Sequence, residues 1–237
     1  MFGKKIKGSI ELELAKDQFC NAWKGEAKNC ARNFCVIANS THYYLLYRDG
    51  KFLGTPAPRG GAIYPFSKDP LEGGGRGDLK NFHRATVVCI SKTFNLQMPW
   101  GTRVPFVMHD KATGKDFRVG ASGTFYLEIE SSDGARNADR FYEKLASQGD
   151  PSKMTAEQLR DDLCAAYINQ IGAKIQECLE ELDRPISSLV GLQPGELVKI
   201  SEAAYSKMKD LFEEYGLSIA EKASKGSILG RLIVMPA

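Results

Sequence analysis

The residues that could perform acid–base or metal chemistry are few and scattered. The three histidines, His42, His83 and His109, lie in different regions, and none has the His-x-x-x-His spacing of a zinc site. His83 and Cys89 could in principle meet as a base and a nucleophile. However, a loop histidine and a cysteine inside the apolar run 86–90 favour a structural interpretation. We therefore predict no catalytic residue, no metal ligand and no cofactor, and we expect that the chain is not an enzyme.

The glycine-rich segment from Gly73 to Asp78 could bind a phosphate through its backbone amides. It lacks the Gly-Lys-Ser/Thr ending of a P-loop, and no helical pattern follows it directly. It lies within a Gly- and Pro-rich stretch at residues 55–83, which predicts a loop. One alternative left open is an enzyme that binds a small molecule or nucleotide here, in a pocket that joins the loop to His83, Arg84 and, as a further candidate, His109.

The charge balance argues against a nucleic-acid partner. A formal net charge of +3 in 237 residues is nearly neutral, whereas non-specific nucleic-acid binders carry a clustered basic face. The basic cluster formed by Lys4, Lys5 and Lys7 is either a solvated terminus or a weak contact with anionic lipid headgroups, at about 1 kcal/mol per lysine.

The sequence shows no signal-peptide pattern, no run approaching the ~20 apolar residues that span a bilayer, and no Cys-x-x-Cys pair among its six cysteines. We expect a cytoplasmic protein with reduced cysteines, held at most peripherally at the inner face of the cell membrane.

An alternation with a period of two runs through residues 93–130. From 117 to 130, apolar or small residues alternate with polar ones, which places the two sets on opposite faces of a long β-strand. Residues 94–100 alternate in the same way and end at a Pro-Trp-Gly corner. A short strand at 105–108 and a turn complete a predicted sheet. Further strands are predicted upstream at 33–40, 42–47 and 86–90, with a hairpin turn at Asp49-Gly50.

After residue 130 the period changes to about 3.6, which indicates helices. The first is predicted between a cap at Asp133 and a stop at Gly149, and the second begins after Thr155 and ends before Pro185. The third is predicted over residues 194–215.

A β-rich front and a helical rear with closing strands predict an α+β fold. We divide the chain into a lead-in at residues 1–30, a β-rich subdomain at 31–130 and a helical α/β subdomain at 131–237.

Two motifs in this region resemble the core of the SPFH or Band 7 superfamily, which includes the stomatins, prohibitins and flotillins. One is Phe-Asn-Leu-Gln-Met-Pro-Trp-Gly-Thr at 94–102, and the other is Phe-Arg-Val-Gly-Ala-Ser-Gly-Thr-Phe at 117–125. The combination is similar to the bacterial virion core protein-like branch, and the similarity runs from about residue 31 to 236. The positions that carry it are Trp100, Gly101, Thr102, Arg118, Gly120, Gly123 and Phe125.

This resemblance implies a non-enzymatic scaffold that self-associates and organises or recruits proteins at the cytoplasmic membrane face. It implies homo-oligomers and protein partners, and no small-molecule substrate. The physical route would be apolar surface left uncovered on the sheet or on the helix at 194–215. The alternative from another class is a soluble adaptor without a membrane link, which binds a protein partner through an exposed strand edge.

Overall fold

Strands fill most of the front of the chain and helices most of the rear, as the sequence predicts. The computed structural model describes residues 9–15, 18–25, 34–56, 58, 60–66, 70–71, 85–182 and 184–237. These residues form several sheets and four α-helices, so the α+β fold class is confirmed.

The chain forms two compact units, and each is built from two separate segments. The first unit takes residues 1–94 and 129–156, and the second takes residues 95–128 and 157–237. The predicted division has boundaries after residues 30 and 130, whereas the observed chain passes from one unit to the other near residues 94, 128 and 156.

The first unit contains two sheets and one long helix. Strands β1, β3 and β6 form one sheet, and a second sheet has the order β2-β7-β4-β5. The elements are β1 (Ser9–Glu11), β2 (Cys20–Lys24), β3 (Cys35–Ile37), β4 (His42–Arg48), β5 (Lys51–Gly54), β6 (Ala62–Ile63), β7 (Ala85–Ser91) and helix α1 (Gly134–Gln148), with 3-10 turns at Ser131–Asp133 and Pro151–Lys153.

Local sequence signals account for much of this unit. Asp49 and Gly50 have φ angles of 53° and 75°, the left-handed pair that a two-residue hairpin requires between β4 and β5. Asp133 caps α1 by accepting a hydrogen bond from the Arg136 backbone N–H, and the Gly149 N–H closes the helix on the Leu145 carbonyl. The predicted hairpin, cap and stop are confirmed.

A buried polar pair joins α1 to strand β4 of this unit. The Tyr47 hydroxyl donates to Asp139 Oδ1 at 2.5 Å, and both side chains are buried. Burial raises the pKa of Asp139 above its ordinary value, against the opposing effect of the Tyr47 hydrogen bond. Burial in the core therefore disfavours the ionised form of the Asp139 carboxyl group.

The second unit is organised around one long central strand. Its elements are β8 (Leu96–Gly101), β9 (Phe106–Asp110), β10 (Lys115–Ile129, whose last residue belongs to the first unit), α2 (Ala156–Glu180), α3 (Pro194–Met208), β11 (Leu217–Ile219), α4 (Glu221–Ser224) and β12 (Arg231–Pro236), with 3-10 turns at Ile186–Leu189 and Glu213–Tyr215. Strand β10 pairs antiparallel with β9 and then β8 along one side, and with β12 along the other. Strand β11 also pairs with β10.

Helix α2 buries the predicted stripe of apolar side chains inside the second unit. Of the seven predicted positions, Leu182 lies beyond the end of the helix. The other six are buried: Leu159, Leu163, Tyr167, Ile171, Ile175 and Leu179. Each lies four residues from the last, so the side chains stay on one slowly turning face.

The predicted helix over 194–215 is wrong over its last seven residues, about two turns. Helix α3 ends at Met208, and the chain then tightens into turns in which the Leu211 N–H bonds to the Met208 carbonyl. These turns bring Phe212 against Tyr167 and Phe125, with ring centroids 4.8 Å and 5.7 Å away. Apolar spacings of three and four residues suit both a helix and such turns, so periodicity alone does not separate them.

Candidate functional site

The described histidines and cysteines do not form a nucleophile–base pair. His42 lies on β4 with its Nδ1 3.1 Å from Thr41 Oγ1, and His109 Nδ1 lies 2.8 Å from Asp116 Oδ1 on the exposed surface of the second unit. The Cys89 thiol is buried, donates to the Leu12 carbonyl at 3.7 Å, and has its pKa raised to about 11 by burial. A thiol with so high a pKa is almost wholly protonated at neutral pH and is a poor nucleophile.

Several sequence-predicted sites lie outside the described residues. These are the basic cluster Lys4, Lys5 and Lys7, the segment from Gly73 to Asp78, and the adjacent His83 and Arg84. Within the described ranges, no three His, Cys, Asp or Glu side chains are grouped so as to hold a metal ion. No helix among the described residues is long and apolar enough to cross a membrane.

The structure brings Trp100 and Gly123 together as neighbours on the inner, buried face of the sheet in the second unit. They are cross-strand partners in the β8–β10 ladder. The Trp100 Nε1–H donates to the Ile228 carbonyl at 2.7 Å, and the indole is buried. A Cβ added to Gly123 would lie 1.9 Å from that same carbonyl oxygen. The absent side chain at Gly123 therefore lets the chain at Ser227–Ile228 cross the strand and reach Trp100.

Further hydrogen bonds fasten the crossing segment. The Thr124 N–H donates to the Ser227 carbonyl at 3.0 Å, and the Gly230 N–H donates to the Ser122 carbonyl at 2.9 Å. From α3, the Ser201 hydroxyl donates to the Leu229 carbonyl at 3.1 Å and accepts from the Leu229 N–H at 2.9 Å. Trp100 and Gly123 thus join β8, β10 and the approach to β12, which is a structural role.

Three of the other predicted motif positions also support this sheet. Thr102 continues the β8 ladder, because its N–H donates to the Ala121 carbonyl at 2.9 Å and its Oγ1 accepts from the Ala121 N–H at 3.1 Å. Gly101 pairs with Ser122 at the end of β8. Phe125 is fully buried against Phe212.

The remaining two motif positions, Arg118 and Gly120, lie on the opposite side of the sheet, which we call the outer face. Arg118 is the cross-strand partner of Val107 on β9 and of Met235 on β12, and Gly120 is the partner of Ile233. Val107, Ile233 and Met235 are 56%, 41% and 44% exposed. Val107, Ile233 and Met235 therefore form an apolar strip around Arg118, with Arg231 in the row beyond Ile233 and the His109–Asp116 pair in the row beyond Met235.

This strip is what sequence reasoning missed. The run Leu-Ile-Val-Met-Pro at 232–236 is apolar at every position, so its alternation does not say which side chains are covered. Only the pairing with β10 assigns Leu232 and Val234 to the inner side, opposite Ala121 and Val119.

An open cavity of about 770 Å³ lies in the second unit at the end of β9 that carries Asp110. Two of its charged lining groups have ion-pair partners: Arg184 Nη1 contacts Glu196 Oε1 at 2.9 Å, and Glu181 Oε1 contacts Lys207 Nζ at 2.9 Å. Asp110 is buried there and accepts from the Ser187 and Ala112 N–H groups at 3.1 Å and 2.9 Å. Hydrogen bonds from Ser187 and then Ala112 lower the Asp110 pKa to about 2, despite its burial. These contacts tie a turn to the 3-10 helix at Ile186–Leu189.

Comparison of the chain with protein-family models, curated proteins and solved structures finds no match. The resemblance to the SPFH superfamily therefore stays a prediction. One surface of the described residues that exposes grouped apolar side chains is the outer face of the second unit.

Proposed function

We propose that this chain is a non-enzymatic scaffold of the SPFH or Band 7 type, which self-associates and organises or recruits proteins at the cytoplasmic membrane face. The observation that supports it is the outer face, where Val107, Ile233 and Met235 expose about half of their side chains around Arg118. Contiguous exposed apolar surface is typical of protein–protein contacts, because covering it releases water. The occupant that we assign to this face is a second copy of the chain.

The size of the apolar strip suggests how strong such a contact is. Covering a whole Val, Ile or Met side chain contributes about 1.5–3 kcal/mol, so three half-exposed residues contribute roughly 3 kcal/mol per copy. A symmetric pair gains roughly 6 kcal/mol, against an association cost of about 4–15 kcal/mol. The strip alone thus supports weak, concentration-dependent association, and a stable oligomer needs further contacts.

Light scattering over a range of protein concentrations tests the self-association. We expect the mass to rise with concentration, and Ile233→Lys to shift that rise to higher concentration by placing a charge in the strip beside Arg118. Val190→Lys is the matched control, because Val190 is 63% exposed in the same unit and is not among the strip residues. A monomer at every concentration, or an equal effect of both variants, would count against a scaffold that assembles through this face.

Sedimentation with liposomes tests the membrane part of the proposal separately. We expect weak binding to vesicles that contain anionic lipid, lower binding to neutral vesicles, and loss of binding when Lys4, Lys5 and Lys7 are replaced by Gln. Each lysine contributes about 1 kcal/mol near an anionic surface, and added salt weakens the contact. Binding that is unchanged by the triple replacement would reject these lysines as the contact.

A second candidate function is a soluble adaptor that binds a different protein without a membrane link. The observation that favours it is the outward edge of β12, which pairs with no strand among the described residues. An extended segment of a partner adds to such an edge through backbone hydrogen bonds. A monomer that binds neither vesicle type would favour the adaptor over the scaffold.

A further inference from the structure

The free edge of β12 has a defined set of hydrogen-bonding groups. The Ala237 N–H donates to the Asp116 carbonyl at 3.0 Å, so residues 233, 235 and 237 direct their backbone groups toward β10. Because successive residues of a strand alternate, Leu232, Val234 and Pro236 direct theirs away from the sheet. Leu232 and Val234 each present one N–H and one C=O, whereas Pro236 presents only a C=O.

This edge carries one device that keeps edge strands apart, because Pro236 offers no N–H there, but it lacks charged side chains along its length. No charged side chain occurs from Leu232 to Pro236, and the strand contains no inward-pointing lysine or aspartate. Natural edge strands are usually blunted by such charges. The first charged residue is Arg231, at the start of the strand and exposed.

We propose that two copies of the chain join edge to edge through β12, antiparallel about a two-fold axis at Val234. This inference rests on the proposed self-association and adds one of the further contacts that a stable oligomer needs, because pairing along the edge leaves the outer face itself uncovered. In this register the Val234 N–H of each copy donates to the Val234 carbonyl of the other. The Leu232 N–H of each copy donates to the Pro236 carbonyl of the other, which gives four interchain backbone bonds. On the outer face, Ile233 lies opposite Met235 of the second copy, so the two apolar strips become continuous.

Charge selects this register over its neighbour. With the axis at Val234, Arg231 of the second copy lies beside Ala237, and Ala237 is the cross-strand neighbour of Asp116. Arg231 and Asp116 are then two interstrand spacings apart, about 9–10 Å between Cα atoms, which an arginine and an aspartate side chain span together. Asp116 is 56% exposed, and its Oδ1 lies 2.8 Å from His109 Nδ1 within its own chain, so the contact between copies adds to or replaces that pair.

The neighbouring register, with the axis at Ile233, also forms four backbone bonds but has the opposite electrostatics. It places Arg231 of the second copy beside Met235, whose cross-strand partner is Arg118. Two arginines would then face each other across Met235, and like charges in such an arrangement repel. The register centred on Val234 replaces this repulsion with two symmetric Arg231–Asp116 attractions.

A charge exchange tests the contact. Within one chain Arg231 pairs with Ser122, six residues along β10 from Asp116, or about 20 Å. Only a contact between copies can couple them. We expect Arg231→Glu and Asp116→Arg each to raise the dimer dissociation constant about tenfold or more, because an attraction becomes a repulsion at two sites. The double variant should return it to within about threefold of the unchanged protein.

Two controls separate this contact from its neighbours. His109→Gln removes the pair that Asp116 makes within its own chain, and it should leave the dissociation constant within about threefold. Arg118→Glu should not tighten the dimer, since tightening would indicate the register centred on Ile233. Light scattering or analytical ultracentrifugation gives the dissociation constants.

The outcomes distinguish the proposals. A monomer at every concentration overturns both the self-association and the edge contact. An oligomer that responds to Ile233→Lys but shows no rescue in the Arg231→Glu/Asp116→Arg double variant overturns the edge contact and leaves the scaffold standing.

Discussion

Replacing Gly123 by alanine should disrupt the second unit far more than one added methyl group usually does. The new Cβ would lie 1.9 Å from the Ile228 carbonyl oxygen and 2.9 Å from the Ser227 carbonyl oxygen, and both belong to the backbone. Ordinary carbon–oxygen contacts are well beyond 3 Å, so residues 227–228 must move by more than 1 Å. That movement breaks the Trp100 Nε1–Ile228 and Thr124–Ser227 hydrogen bonds.

The magnitude follows from these two effects. Overpacking a well-packed site costs about 1–3 kcal/mol, and each lost hydrogen bond costs about 0.5–1.5 kcal/mol. We therefore expect the free energy of unfolding of the second unit to fall by roughly 2–6 kcal/mol. Gly120→Ala is the matched control in the same strand, because its Cβ would meet Thr102 Oγ1 at 3.7 Å and Ile233 Cβ at 3.9 Å, which are ordinary contacts.

Denaturant unfolding followed by tryptophan fluorescence measures this difference. The chain has two tryptophans, Trp23 in the first unit and Trp100 in the second. In a Trp23→Phe background the fluorescence therefore reports the second unit. Gly120→Ala should leave stability unchanged or raise it by up to about 1 kcal/mol, since glycine is unfavourable inside a strand. Equal effects of the two replacements would refute the close backbone crossing at Gly123.

Three further predictions concern buried side chains of the two units. Trp100→Ala should cost about 3–5 kcal/mol in denaturant unfolding, through the cavity left at a buried ring, and a near-neutral result would show that the corner does not hold the sheet. Asp139→Asn keeps an acceptor for Tyr47; because burial raises the folded-state pKa of Asp139, the unchanged protein should lose stability relative to this variant as pH rises from about 4 to neutral. A stability difference that is flat over this range would reject the buried carboxyl group. For Asp110 the pH dependence of stability has the opposite sign, because its folded-state pKa of about 2 lies below the unfolded value. The stability that Asp110 adds relative to Asp110→Asn should be full above about pH 4 and fall as the pH drops toward 2. Unfolding curves measured across that interval test this.

Local chemistry made much of the fold predictable. The alternation from residue 117 to 130 predicts β10, and the observed strand spans Lys115–Ile129. Asp49-Gly50, the Asp133 cap and the four-residue steps along α2 each have a physical cause that acts within a few residues. Such signals need no knowledge of the rest of the chain.

What the sequence did not predict depends on partners that are distant along the chain. Strand β2 at Cys20–Lys24 went unpredicted, since it is held by pairing with β7 some 65 residues later. Gly120 and Gly123 look alike in sequence, but only Gly123 lies under the backbone at Ile228. The exposure of Ile233 and Met235 likewise depends on which side of β10 the core occupies, so the candidate surface could not be assigned from residues 231–236 alone.

The interleaving of the two units has a consequence for how the protein is made. All segments of the first unit have been synthesised once residue 156 leaves the ribosome, so its sheets and α1 can assemble early. Strand β10 is synthesised about 100 residues before its partner β12. At about 5–20 residues per second, the delay between the two strands is roughly 5–20 s. During that interval one side of β10 has no strand to pair with between Phe117 and Ser122. The order of synthesis therefore separates the folding of the two units in time, and the sheet of the second unit closes only after β12 has been made.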